Sequence, residues 1–249
     1  GKGTVGADRA VAETDTMNME KRINRLRSKE IRNHLAFLYG GDEKTLNFQL
    51  ARYEALLRRH EETFGPRETV MIFSGPGRTE IGGNHTDHNR GRVLAGSINL
   101  DLLCAASPRE DNRVSFHSEG REPSLLDLSD TEVNPTEEGT TGAIIRGVAD
   151  GMKRRGYRIG GFDAVGNSTV AAGGGMSSSA ALEIMLSGVF DGLYNDFSMP
   201  FSDRAQIGRR AENLYFGKPS GLLDQMASAA GGLVTVDFAD EKDPKVEAL

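Results

Sequence analysis

Apolar positions recur along this chain with two periods, and the switch between them marks out its elements. Between residues 19 and 64, Leu50, Tyr53, Leu57 and Phe64 fall on one stripe with charged residues between them, the spacing of an amphipathic helix. Gly65-Pro66 stops it. Thr69–Phe73 predicts a short buried strand, and the glycine-rich, polar stretch Ser74–Gly91 predicts a loop. Over Val93–Ala106 the period falls to two: Ile98, Leu100, Leu102 and Cys104 alternate with Asn99 and Asp101, as in a strand. A third strand is predicted at Arg113–Ser118, then an acidic, turn-rich surface excursion over Glu119–Thr141. Ile144, Ile145, Val148, Ala149 and Met152 define a helix ending near Gly156. Phe162–Val170 is a fourth strand, and a helix runs through Leu182, Met185, Leu186, Val189 and Leu193. Helices follow at Asp203–Phe216 and Ser220–Ala230, and a last strand at Leu233–Phe238.

Strands interleaved with helices predict an α+β domain, a mixed sheet covered by helices. Residues 1–18 are polar and irregular and are expected to be a disordered tail. Residues 19–64 form a helical segment ahead of a domain spanning 65–249. The sequence stops just after a strand, without a cap or tail, as expected of a protein cut short.

Composition removes several classes. With 37% hydrophobic and 27% charged residues, bulk disorder is not expected. A net charge of −6, no tryptophan and only 6% aromatic residues argue against a nucleic-acid partner. Cys104 is the one cysteine, so no intrachain disulfide or cysteine metal cluster is available, and its place in an apolar stripe makes it a core residue. No apolar run approaches the ~20 residues of a membrane span, and no secretory hydrophobic region is found. A cytoplasmic protein without a membrane partner is expected, a monomer or a weak homo-oligomer. The 31 glycines in 249 residues exceed the usual ~7%, so their positions carry information.

One group lies in Ala172-Gly173-Gly174-Gly175-Met176-Ser177-Ser178-Ser179-Ala180-Ala181, which joins a strand to a helix. Glycines let backbone approach a ligand closely, and the helix start offers free N–H groups to an anion. Ser177, Ser178 and Ser179 add hydroxyls, one of which could bind a metal ion. The segment suits a di- or triphosphate, although it is neither a Walker A loop nor a Gly-x-Gly-x-x-Gly turn. A flexible turn with a serine N-cap is the plainer alternative.

The second group is Gly75-Pro76-Gly77-Arg78-Thr79-Glu80-Ile81-Gly82-Gly83-Asn84-His85-Thr86-Asp87-His88-Asn89. Arg78 is a permanent cation with a donor fork. Asp87 can accept two hydroxyls at once, as the vicinal diol of a sugar requires, and Asn84 and His85 can each bond another. A solvated polar turn is the alternative. His85 and His88 lack a clear third ligand for a metal site. The third feature is Glu212 with Asp224, the latter set among Leu222, Leu223 and Met226 and so partly buried. A buried acid needs a partner or a task. Alone, Glu212 could be a solvated helix residue and Asp224 a helix-start cap.

Taken together and in order, these segments resemble the galactokinase branch of the GHMP kinase family. Pro76-Gly77-Arg78 followed by Gly83-Asn84-His85-Thr86-Asp87-His88-Asn89 is similar to its signature Gly-Arg-Val-Asn-Leu-Ile-Gly-Glu-His-Thr-Asp-Tyr-Asn. Gly173–Ala181 resembles its phosphate loop, Gly-Gly-Gly-Leu-Ser-Ser-Ser-Ala, and Gly221-Leu222-Leu223-Asp224-Gln225 its segment with the catalytic aspartate. The resemblance spans about Leu50 to Phe238.

The resemblance implies a two-layer domain akin to domain 2 of ribosomal protein S5, and transfer of phosphate from ATP to the anomeric hydroxyl of a sugar such as galactose. Asp224 would take or orient the hydroxyl proton. Arg78 would keep Asp224 ionised and stabilise developing charge. Ser179 and Glu212 match positions that bind Mg²⁺. Gly173, Gly174, Gly175, Ser177 and Ser178 would cradle the phosphates of ATP, and Asn84, His85 and Asp87 would read the sugar.

Two departures stand out. Asn84 replaces the usual Glu, which can shift sugar preference because an amide also donates; His88 for Tyr is a smaller change. The family also has a C-terminal domain that completes the cleft, so this stretch alone is expected to be inactive or very weak. Kinases for N-acetylgalactosamine, arabinose or a uronic acid are the nearest alternatives. The family's non-catalytic sugar sensors are the alternative from another class, but their loss of catalysis goes with damage to a serine loop that is intact here.

Overall fold

The computed structural model describes residues 18–83, 89–171, 175–240 and 244–249. The helical segment divides into three pieces because three polar residues cap new starts. Asn18 opens α1 (Met19–Leu26), Ser28 opens α2 (Lys29–Tyr39) and Asp42 opens α3 (Glu43–Phe64), each accepting a backbone N–H three residues on. Asn18, read as part of the tail, is therefore the first cap. Leu26, Leu35, Tyr39, Leu46, Tyr53 and Leu56 pack together against Leu103, Ala105 and Val165 on one face of the sheet.

The sheet is built on β2 (Arg92–Pro108), long enough to serve three neighbours. One edge pairs antiparallel with β1 (Met71–Gly82). The other pairs antiparallel with β6 (Leu233–Asp237) near the start of β2 and with β5 (Phe162–Ser168) near its end. Beyond β5 lie β3 (Arg113–Ser118), parallel to it, and β4 (Ser124–Asp127); beyond β6 lies β7 (Lys245–Ala248). The mixed sheet is as expected. Strand β7 has no counterpart in the periodicity analysis.

The stretch from Ser74 to Gly82, read as loop, is strand. Gly75 is there for packing: a Cβ on it would lie 2.0 Å from the Ala181 carbonyl oxygen, so only glycine lets α5 (Ser178–Tyr194) lie against β1. The register slips between Pro76 and Arg78 and again between Glu80 and Gly82. Such irregularities re-aim side chains, and Arg78 ends buried.

Helices α4 (Thr141–Arg154), α5 (Ser178–Tyr194), α6 (Phe201–Ala211) and α7 (Leu223–Ala230) cover the opposite face. Cys104, Phe116, Phe162, Ile145, Met185 and Phe190 are central to that core. The Cys104 thiol is wholly buried, as expected, and burial pushes it up, away from thiolate chemistry. The acidic excursion is built around β4 and a single 3-10 turn, Pro135–Glu137, held by Arg146 to Glu137 at 2.8 Å. None of the described helices is long and apolar enough to cross a membrane.

Candidate functional site

Four elements meet at one end of the sheet: β1, the turn entering α5, the π-helical turn Glu212–Phe216 that continues α6, and the first turn of α7. Backbone contacts fix β1 to the turn. The Arg78 amide donates to the Met176 carbonyl at 3.2 Å, and a Cβ on Gly77 would press on that same carbonyl at 3.0 Å. Ser228 of α7 donates to the Pro76 carbonyl at 2.7 Å.

Within this frame, Arg78 Nε donates to Asp224 Oδ1 at 2.7 Å, and its Nη1 donates to the Gly175 carbonyl at 2.9 Å. Ser177 Oγ donates to the other oxygen of Asp224. The Arg78 side chain is 8% exposed and that of Asp224 31%, so the carboxylate is held from behind and open in front. Ser179 Oγ donates to Glu212 Oε1 at 2.8 Å, and Lys218 Nζ stands 3.4 Å from the same oxygen. Ser177 is in the left-handed region, with φ 55°, and makes no side-chain cap. The strained turn leaves the N–H groups at the start of α5 without a serine cap, the arrangement an anion can use.

The plainer alternatives for the serine loop, Asp224 and Glu212 fail on this geometry. No serine caps α5. Asp224 lies inside α7, whose cap position is Leu222. Glu212 is buried. Of the residues singled out from sequence, Arg78, Gly175, Ser177, Ser179, Glu212 and Asp224 come together. Ser178 opens α5 and, with Ser179, lines a cavity of about 190 Å³ walled by Leu102, Phe116, Leu182 and Phe216. Asn84, His85, Asp87, Gly173 and Gly174 lie outside the described residues.

The donor set at Ser179 and Glu212 suits Mg²⁺. Both atoms are hard oxygens, and their 2.8 Å separation is close to the ~3 Å between neighbouring ligands in an octahedral shell of ~2.1 Å radius. Among the described residues no three His, Cys, Asp or Glu side chains form a metal cluster. Two protein oxygens complemented by phosphates and water match the way Mg²⁺ is usually held beside nucleotides.

Sequence reasoning assigned no role to Glu183, Gln225 or Lys218. Gln225 Nε2 lies 2.9 Å from Glu183 Oε2 and 2.8 Å from Glu212 Oε2. Burial, and then the charge of Glu212, push the Glu183 carboxyl well above the ordinary carboxylic range. A signal for Glu183 was present: it is the one acid in the run Ala180 to Leu186, which is otherwise apolar.

The model of the galactokinase galactose-binding signature matches residues 58–108, and that of the GHMP kinases N-terminal domain matches 143–232. The chain belongs to the GHMP kinase family. The first of these spans carries Arg78; the second carries Ser177 to Ser179, Glu183, Glu212, Asp224 and Gln225. The chain is 36% identical to the galactokinase of Lactococcus lactis subsp. cremoris (strain MG1363) over 200 residues, 78% of this chain and 49% of that protein. It is 32% identical to the galactokinase of Streptomyces coelicolor over 185 residues, 74% and 47% of the two chains. The chain thus spans about half the length of the curated relatives it matches. The crystal structure of Lactococcus lactis galactokinase complexed with galactose superposes with a TM-score of 0.72 at 30% identity, covering 79% of this chain and 52% of that one. Methanococcus jannaschii mevalonate kinase, at 19% identity and a TM-score of 0.60, shares the fold over 74% of this chain.

Proposed function

We propose that this GHMP kinase transfers the terminal phosphoryl group of ATP to the C1 hydroxyl of galactose, giving galactose 1-phosphate and ADP. The observation that carries the reading is the carboxylate of Asp224, pinned by Arg78 at 2.7 Å and set beside the uncapped start of α5.

Each group then has a task. The start of α5, with Gly173, Gly174, Gly175, Ser177 and Ser178, receives the phosphates through backbone N–H groups and hydroxyls. The cavity beside Ser178 and Ser179 is placed to take the base. Asn84, His85 and Asp87 bind the sugar hydroxyls. Asp224 orients the C1 hydroxyl and receives its proton as oxygen bonds to phosphorus and the bond to the ADP oxygen breaks. Arg78 holds Asp224 in place and offsets the charge that grows on the transferring group. Ser177, now bonded to Asp224, gives up that oxygen when the sugar hydroxyl arrives. Mg²⁺, held by Ser179 and Glu212, would neutralise phosphate charge. The similarity to galactokinases, one of them described with galactose bound, supports the sugar.

Asn84 favours one second reading, a different sugar acceptor. The test is incubation of the protein at its native length with Mg-ATP and a panel of sugars, followed by phosphorus NMR. Galactose 1-phosphate that disappears in Asp224→Asn is the expected result. Product from another sugar alone overturns the substrate. Binding of both ligands with no product overturns the kinase and favours a sensor.

A further inference from the structure

The carboxyl group of Glu212 is aimed by a layer of buried polar atoms behind it. Glu183 lies on the face of α5 turned into the core, fully buried, and among the described residues no cation forms an ion pair with it. Gln225 follows Asp224 directly on α7 and is also fully buried. Its Nε2 sits between two carboxyl groups, 2.9 Å from Glu183 Oε2 and 2.8 Å from Glu212 Oε2. Both facing atoms accept, so the amide must present its NH₂, one N–H to each. Glu212 Oε1 is thereby left to Ser179 Oγ at 2.8 Å. Helix α6 closes the back of the group. A Cβ on Gly208 would lie 2.9 Å from Glu183 Oε2 and 3.2 Å from Gln225 Cγ, so glycine there makes room for the pair.

We infer that Glu183 is a positioning residue for the proposed reaction: it fixes the Gln225 amide, which grips Glu212 by Oε2 and leaves Oε1 turned toward Ser179. The inference rests on the reading of Glu212 and Ser179 as the Mg²⁺ side of the site.

A role in packing alone does not account for this arrangement. Glu183 Oε1 and Gln225 Oε1 are both buried without a hydrogen-bond partner. A leucine or methionine would fill the space without orphaning either atom, and each orphan is costly. Polar side chains held at a cost in stability are expected where they direct a functional group. A proton on Glu183 turns one orphaned acceptor into a donor. In that neutral form Glu183 holds the amide without adding charge next to Glu212, and burial pushes its carboxyl in that direction.

The test compares Mn²⁺ affinity, read by electron paramagnetic resonance in the presence of ADP, across variants of the protein at native length. Glu183→Gln keeps a neutral acceptor in place and is expected to stay within about twofold of the parent. Glu183→Met keeps the volume and removes the anchor; it is expected to weaken Mn²⁺ binding by about 10–100-fold, the usual effect of losing an outer support of a metal ligand, while the melting temperature holds or rises. Should Glu183→Met fail to fold, Gln225→Met makes the same prediction from the other side. A folded Glu183→Met or Gln225→Met that binds Mn²⁺ as tightly as the parent overturns the inference. So does a Glu183→Gln as impaired as Glu183→Met. Glu212→Gln is the control: if it leaves Mn²⁺ affinity unchanged, the metal reading itself falls and takes this inference with it. A weakened Glu212→Gln beside an unaffected Glu183→Met sinks the positioning role alone.

Discussion

Two polar clusters flank the sheet of this chain, and they are built to opposite rules. On the face covered by α1 to α3, Arg52 meets Asp101 at 2.5 Å with side chains only 5% and 3% exposed. All the N–H groups of Arg52 have acceptors: Asn167 Oδ1, Gln49 Oε1, Asp101 Oδ1 and the carbonyls of Asp101 and Asn167. Asp101 Oδ2 receives Tyr39 at 2.5 Å and Ser74 at 2.6 Å. Charge balances and no buried polar side-chain atom is orphaned. On the opposite face, the carboxyl groups of Asp224, Glu212 and Glu183 face Arg78 and Lys218; Asp224 is open, and two oxygens lack partners. The closed cluster holds helices to the sheet. The open one leaves room for a cation, a phosphate and a hydroxyl to complete it. Strand β1 serves both, through Ser74 on one side and Arg78 on the other.

The largest expected effect falls on the open cluster. Asp224→Asn should lower turnover by about 10²–10⁴-fold, the usual range for losing a general base; steady-state kinetics with the best sugar will check it, and a loss under threefold would place the proton elsewhere. Glu212→Gln should raise the Mg²⁺ concentration for half-maximal turnover by about 10–100-fold, in line with other changes around metal ligands, and a magnesium titration reads this directly. The shared strand should respond on both sides. Gly75→Ala forces a methyl group onto the Ala181 carbonyl, 2.0 Å away, so α5 must shift. Stability should fall by about 1–3 kcal/mol, as in overpacked cores, and turnover should fall with it; a loss confined to either readout would break the link.

The smallest effect concerns pH. The Glu183 carboxyl is raised above its ordinary 4.5, so folding takes up a proton there. Its contribution is fully present below that value and is lost as the pH climbs toward the folded one. Glu183→Gln has nothing to titrate. Denaturant melts at several pH values should therefore show the variant gaining on the parent as pH rises above 4.5. A constant difference would mean Glu183 is ionised in the folded protein.

Helix and strand identity followed from periodicity wherever one face was buried, as at Val93–Ala106 and Ile144–Met152. Periodicity failed at Ser74–Gly82 because Gly75 and Gly77, normally turn signals, serve the close approach of β1 to α5 and to the turn before it. Asp224 stood out as an acid among apolar residues, but Glu212 alone read as a solvated helix residue and Arg78 lies 146 residues from Asp224, so only the family resemblance linked the three. Glu183 escaped notice because a single acid in an apolar helix gives no spacing to match. The Arg52–Asp101 cluster was not legible, since it depends on which strand lies under α3. Strand β7 is short and mostly exposed, so it carries no alternation.

The difference between the two clusters is most directly tested by stability alone. Asp101→Asn and Asp224→Asn are compared by urea unfolding at neutral pH. Asp101→Asn should cost about 3–5 kcal/mol, because it leaves Arg52 as a buried charge without its counter-ion. Asp224→Asn should cost clearly less, because its carboxylate is 31% exposed to water and Arg78 keeps the Gly175 carbonyl as an acceptor. Equal losses would contradict the account, since Asp224 would then hold the fold as Asp101 does.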